Sequence, residues 1–358
     1  MQTESATTEL TALPGLESAD SPPPRPQEER ARWIEHGHPR RLMLFSGRSH
    51  PDLASDIGAR LGIELGEVEL KTFDNGETYC RYEESIRGAD VFIIQTGCEP
   101  VDRNLMELLI MIDAARLASA HRVTAVIPWY PYSRQDKKAR PREPISAKLV
   151  AEMLQVAGAD RVLTMDLHAG QIQGFFRIPV DHMRALRLFA KHFRDKGLHG
   201  EGVVSVSPDA GRAKVAGKFA EMLESPHVAI MNKTRPSHDR AVTTTVIGDV
   251  QGKVAILSDD IISTGGTLIT AAEVLKRAGA TEAYACATHG LFPDEALEKL
   301  AASELREIVV TDTVPIDVLN RPDKLTVLTV SGILAETIAN VFSDESVSAV
   351  FAGENQLF

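Results

Sequence analysis

Two adjacent carboxylates, Asp259 and Asp260, are followed by Ser263, Thr264, Gly265, Gly266 and Thr267. Glycines let a backbone come close to a ligand, and hydroxyls add donors. A helix start adds free N–H groups and the positive end of a dipole. Such a segment can hold a phosphate. The carboxylates cannot bind that phosphate themselves; they suit the hydroxyls of an attached ribose, or a hydrated Mg²⁺ beside it. Acid–acid, then hydroxyl–Gly–Gly–hydroxyl, is the pattern of a phosphoribose-binding loop. The Lys of GxxxxGK[ST] is missing, so the segment is not a Walker A loop. The plain alternative is a well-capped strand–helix turn without a ligand.

The flanks supply the elements that would position these groups. Residues 254–257 are a short continuous apolar run, as in a parallel strand buried on both faces. Leu268, Ile269, Ala272, Leu275 and Ala278 recur at helical spacing, and Gly279 stands where a helix C′ glycine belongs.

Other candidate residues also sit just past apolar runs, where α/β proteins bind ligands. The proline-broken basic loop 133–144 follows a strand at 123–128 and contains Arg134 and Gln135. It is either a solvated charged loop or a clamp for a polyanion such as a triphosphate. His168 follows a strand at 161–165, as a structural side chain or as a contact to metal or ligand. Asp209 follows a strand at 203–206. Lys233 and Arg235 open a polar loop that runs to about 243, as surface cations or as a lid over a phosphate.

The chain has 358 residues, enough for about two domains. Hydrophobic residues are 43% and aromatics only 5%, so the cores rest on aliphatic side chains. A net charge of −11 argues against a general nucleic-acid or membrane-surface binder. Cys80, Cys98 and Cys286 lack zinc or CxxC spacing. No apolar run reaches membrane length and no signal peptide is legible, so a cytoplasmic protein is expected.

Residues 1–38 read as a disordered, proline-containing tail. Further strands are expected at 41–47, 68–73, 80–83 and 91–95, with a hairpin turn at 74–77. The segment 86–127 and the segment 250–287 share one strand–helix–strand plan at an offset of roughly 160 residues. The expected fold is α/β: two doubly wound domains, mainly of parallel strands, at 39–185 and 186–342. The segment 343–358, with a strand at 347–351, would rejoin the first domain.

Seven stretches resemble ribose-phosphate pyrophosphokinases: FDNGE at 73–77, NLMELLIMIDA at 104–114, SRQDKKARPREPISAKLVA at 133–151, ADRVLTMDLHAGQIQGFF at 159–176, VSPDAG at 206–211, DDIISTGGT at 259–267 and ESVSAVF at 345–351. The resemblance runs from about residue 41 to the end. The 133–176 region is its most specific part, because other phosphoribosyl-binding proteins share only the loop at 259–267. It implies tandem phosphoribosyltransferase-like (type I) domains. It also implies transfer of the β,γ-diphosphoryl group of ATP to the 1-hydroxyl of ribose 5-phosphate, giving phosphoribosyl pyrophosphate and AMP. By the same resemblance Phe73, Asn75, Gly76 and Glu77 contact adenine from a neighbouring subunit, and Arg134 and Gln135 contact ATP. His168 and Asp209 resemble ligands of Mg²⁺ on ATP. Lys233 and Arg235 resemble the catalytic pair. Arg235, Asp259, Asp260, Ser263, Thr264, Gly265, Gly266 and Thr267 resemble the ribose 5-phosphate site. Assembly of dimers into hexamers is implied too.

The chain departs from the family pattern in three places. Ser263 stands where many members have Asp, Arg212 follows Gly211 where a second Gly is common, and the residues around Lys233 differ while both cations remain. Two rival readings are a phosphoribosyltransferase and a catalytically weak regulatory subunit. The first leaves the basic loop and a whole second α/β unit without a role.

Overall fold

The computed structural model describes residues 40–234, 243–317 and 321–347. The tail 1–38, Arg235 and the expected strand at 347–351, apart from Val347, lie outside them.

In chain order the first half runs β1 (Leu42–Ser46), α1 (Pro51–Leu61), β2 (Val68–Thr72), β3 (Thr78–Tyr82), β4 (Asp90–Ile94), α2 (Val101–Leu117), β5 (Arg122–Ile127), α3 (Ser146–Ala157), β6 (Arg161–Met165) and β7 (Val180–Met183). Helix α4 (Leu186–Asp195) leads into the second half. There follow β8 (Val203–Ser207), α5 (Ala213–Met222), β9 (Val228–Thr234), β10 (Thr243–Ile247), β11 (Val254–Ile262), α6 (Gly266–Arg277), β12 (Glu282–Gly290), α7 (Ala296–Ala301), β13 (Glu307–Thr311) and β14 (Leu325–Leu328). Helix α8 (Ser331–Phe342) comes last.

The first sheet is parallel throughout, in the order β1-β4-β5-β6-β7. The second has the order β10-β9-β8-β11-β12-β13-β14 and is parallel except for β10. This is the expected pair of mainly parallel α/β domains. Strands covered on both faces are mostly apolar, and β4 and β8 are buried at every position. In the second sheet the chain leaves β8 first toward β9 and then toward β11. The carboxyl ends of β8 and β11 therefore flank a topological switch point, where such sheets open a ligand crevice.

The repeat extends further than the sequence indicates. Strands β5 and β12 start at Arg122 and Glu282, 160 residues apart. Each half also carries a hairpin after its first helix. In the second half the hairpin joins the sheet through β9. In the first it is a separate two-stranded ribbon whose Tyr82 Oη donates to Met111 O on α2 (2.9 Å).

One apolar layer joins the halves. Leu44, Phe92 and Met165 of the first sheet and Ile256, Cys286 and Val309 of the second meet Phe189 and Phe193 of α4 and Leu334 and Ile338 of α8. Burying each such side chain contributes about 1.5–3 kcal/mol, so this layer outweighs any single polar contact between the halves. The outer faces are covered by α2 and α3 in the first half and by α6 and α7 in the second.

Several boundaries differ from the sequence reading. Helix α8, placed at the end of the second domain, packs on α1 of the first; Arg60 Nε donates to Ser331 Oγ (2.7 Å) and Arg122 Nη2 to Val341 O (3.2 Å). An apolar helical pattern does not say which of two sheets it covers. Residues 232–234, read as loop, continue β9 because Asn232, Lys233 and Thr234 pair with Thr245, Thr244 and Thr243. Asp259 and Asp260 also lie within a strand, because β12 carries the pairing of β11 on to Ile262. Strands β7 and β10, helix α7 and the 3₁₀ turn Gly170–Phe175 gave no legible periodicity.

Candidate active site

The last residues of β11 face one deep cavity. Successive side chains on a strand point to opposite faces. Asp259 nevertheless folds back, so that its Oδ1 accepts the N–H of Asp260 (2.8 Å). One guanidinium then reaches both acids. Arg212 Nε lies 3.4 Å from Asp259 Oδ1, and its Nη1 lies 3.2 Å from Asp260 Oδ1. On the other side His168 Nδ1 donates to Asp260 Oδ2 (2.6 Å). Asp260 is only 4% exposed in its side chain and sits between His168 and Arg212.

This environment drives the two acids apart. Burial pushes the Asp259 carboxyl well above the usual range, and its bond with Asp260 adds to this. Burial acts on Asp260 in the same sense. It is outweighed by the His168 hydrogen bond and the Arg212 charge, which hold Asp260 well below the usual range. The same bond to Asp260 raises the His168 imidazole against its own burial. One acid of the pair is thus a committed anion and the other the readier proton acceptor.

Past β11 the chain turns through Ser263, Thr264 and Gly265 into α6. Gly265 has φ 76°, and a Cβ there would lie 2.7 Å from Leu300 Cδ2. Among the described residues no side chain caps the start of α6 by a hydrogen bond, and Gly265, Gly266 and Thr267 line the cavity. The cavity holds about 550 Å³ and is lined by Arg134, Lys137, His168, Asp209, Arg212, Asp259, Asp260 and residues 263–267. Arg134 follows β5, His168 follows β6 and Asp209 follows β8. Both halves therefore contribute, each from the carboxyl ends of its strands. Asp209 also accepts the N–H of Arg212 through Oδ1 (3.2 Å), which fixes the turn carrying that arginine.

Phe73, Asn75, Gly76, Glu77 and Gln135 do not line this cavity. Phe73, Asn75, Gly76 and Glu77 form the tip of the β2–β3 hairpin, where Phe73 is 46% exposed and Asn75 Oδ1 accepts the Glu77 N–H (3.2 Å). Gln135 accepts a hydrogen bond from Ser146 Oγ (2.6 Å) at the start of α3. The backbone of Lys233 lies in β9. Among the described residues no cluster of three or more His, Cys, Asp or Glu side chains could hold a metal alone. The donors present, His168 and Asp209, fit a Mg²⁺ that keeps waters and takes most of its oxygens from phosphates.

A second cavity of about 310 Å³ adjoins the first and shares His168, Arg212, Asp259 and Asp260 with it. Its far wall includes Asp166, His182 and Arg184. Asp166 Oδ2 accepts from Ala185 N (2.8 Å) and Thr288 Oγ1 (2.7 Å), tying β6 to β12 across the halves. His182 Nε2 accepts the N–H of Leu167 (2.8 Å), which fixes the backbone just before His168. Burial pushes the His182 imidazole down to about 4, so it stays a neutral acceptor. Arg184, His182 and Thr288 carried no sequence signal. Arg212 carried one, as a departure from the family pattern.

Two family models match the chain. Residues 42–158 match the N-terminal domain of ribose phosphate pyrophosphokinase, and residues 202–352 match a phosphoribosyl synthetase-associated domain. Ribose-phosphate pyrophosphokinase of Clostridium acetobutylicum is 48% identical over 90% of this chain and 100% of its own length. That of Caldanaerobacter subterraneus is 52% identical over 87% of this chain and 98% of its own length. The crystal structure of phosphoribosylpyrophosphate synthetase from Mycobacterium smegmatis superposes with a TM-score of 0.80 at 47% identity, covering 85% of this chain and 100% of that one. With both halves matched in order, and relatives about half identical matched over nearly their whole length, the chain belongs to the ribose-phosphate pyrophosphokinase family.

Proposed function

We propose that the chain transfers the β,γ-diphosphoryl group of ATP to ribose 5-phosphate. The 1-hydroxyl oxygen of the sugar forms a bond to the β-phosphorus. The bond from that phosphorus to the oxygen bridging to the α-phosphate breaks, AMP leaves, and the hydroxyl proton is lost. The products are phosphoribosyl pyrophosphate, a precursor for nucleotide biosynthesis, and AMP. The observation that carries this reading is the single cavity lined by the phosphoribose loop of one half and by Arg134 and His168 of the other.

Such a transfer needs in-line positioning and cations more than covalent help. Residues 263–267 and the start of α6 hold the 5-phosphate. Asp259 and Asp260 take the ribose hydroxyls, and Asp259, with its raised proton affinity, is the better placed to accept a proton. Arg134 and Gln135 hold ATP. Lys233 and Arg235 bring positive charge to the transferring group. A Mg²⁺ held by His168, Asp209 and the ATP phosphates would neutralise phosphate charge. Phe73, Asn75, Gly76 and Glu77 receive adenine from another copy of the chain, in keeping with their place away from the cavity and with a hexamer built from dimers. A cytoplasmic location is proposed with it; among the described residues no helix is long and apolar enough to cross a membrane.

Ser263 favours a second reading, a catalytically weak regulatory subunit. Incubation with ATP, ribose 5-phosphate and Mg²⁺ separates the two. AMP formed in step with sugar consumption supports the reaction, and its absence with intact binding supports the subunit.

A further inference from the structure

Arg212 has no part in the reaction as written above, yet it touches the two acids at its centre. It ends the turn Ala210–Arg212 and lines both cavities. Its contacts of 3.4 and 3.2 Å span Asp259 and Asp260, and its Nε makes no hydrogen bond among the described residues. Two buried carboxylates side by side repel each other and an incoming phosphate dianion, and a cation placed between them offsets that repulsion. A hydrated divalent ion could fill that place. Here the chain fills it with a group that is always charged and whose planar fork meets two carboxylates at once. A divalent ion on the same oxygens would have to displace the guanidinium.

We propose that Arg212 is the resident cation of the sugar site: it neutralises the Asp259–Asp260 pair, so that ribose 5-phosphate binds without a metal ion on its hydroxyls, and a divalent ion is needed only with ATP. The inference rests on the reaction proposed above and adds which cation serves which substrate. The guanidinium holds the acids in place.

Calorimetric titration of ribose 5-phosphate into the full chain without ATP, in EDTA and then in Mg²⁺, tests this. The wild type should bind in EDTA within about threefold of its affinity in Mg²⁺. Arg212→Ala should bind at least about tenfold more weakly in EDTA, the scale of losing a charged partner, and Mg²⁺ should restore most of the loss. Arg212→Lys should keep most of the metal-free affinity. If Arg212→Ala does not fold, the wild type and Arg212→Lys decide. Wild-type binding only in Mg²⁺, or equal binding by Arg212→Ala in EDTA, overturns the role. Wild-type binding in neither buffer overturns this role, and AMP formation then decides the proposed reaction separately. AMP formation by a wild type that needs Mg²⁺ for the sugar leaves the reaction standing and removes only the role of Arg212.

Discussion

His168 Nδ1 lies 2.6 Å from Asp260 Oδ2, and this one bond joins the strand end of β6 to that of β11. It links a residue of the first half to the acid pair of the second. The raised His168 and the depressed Asp260 fix its pH dependence. The His168 contribution is complete below the unfolded histidine value of about 6.5 and is lost as pH rises through its raised folded value. The Asp260 contribution is present above the unfolded carboxylate value of about 3.9 and is lost as pH falls through its depressed folded value. Thermal melts of wild type and His168→Ala should therefore differ most between about pH 4 and 6.5 and converge as the pH rises well above that window. A gap that widens toward pH 9 would contradict the assignment.

Lys233 is held by main-chain pairing opposite Thr244, one residue before the end of β9. Its charge is useful only near the transferring phosphates with water excluded. Lys233→Ala should lower kcat on the order of a hundredfold, the scale of removing one transition-state partner, with little change in KM. Arg235→Ala should act in the same direction. A rise in KM at unchanged kcat would make the lysine a binding residue.

Gly265 has no room for a side chain. Its φ of 76° and the 2.7 Å approach of Leu300 oppose any Cβ. Gly265→Ala should destabilise the protein by about 1–3 kcal/mol and raise KM for ribose 5-phosphate more than KM for ATP. Denaturant melts and steady-state kinetics read the two effects separately.

A buried threonine network also fastens the halves. Thr96 Oγ1 donates to Thr313 O (2.7 Å) and accepts the Trp129 N–H (3.0 Å). Thr96→Val keeps the shape and strands both partners. The expected cost is about 1–3 kcal/mol, read as a lowered midpoint of denaturation.

Much of the site was legible because its residues follow apolar runs that any parallel sheet must bury. Asp259, Asp260, His168, Asp209 and Arg134 are all of that kind, and they meet in one cavity. What the sequence hid depends on pairing across distance. Asp259 and Asp260 lie in a strand only because β12 extends alongside them. Arg212 sits on a turn whose polar pattern marks only a cap, and its grip on both acids follows from two strand ends lying side by side. Helix α8 covers the first half because α1 presents it an apolar face and Arg60, a choice its own periodicity does not encode.

The most direct test follows the β-phosphorus. ATP labelled with ³²P at the β position is incubated with the enzyme, Mg²⁺ and ribose 5-phosphate, and the products are separated. Transfer of the diphosphoryl group puts the label in the sugar product, with one unlabelled AMP for each sugar consumed. Label recovered in ADP, or in inorganic pyrophosphate without a labelled sugar, would contradict the proposed reaction.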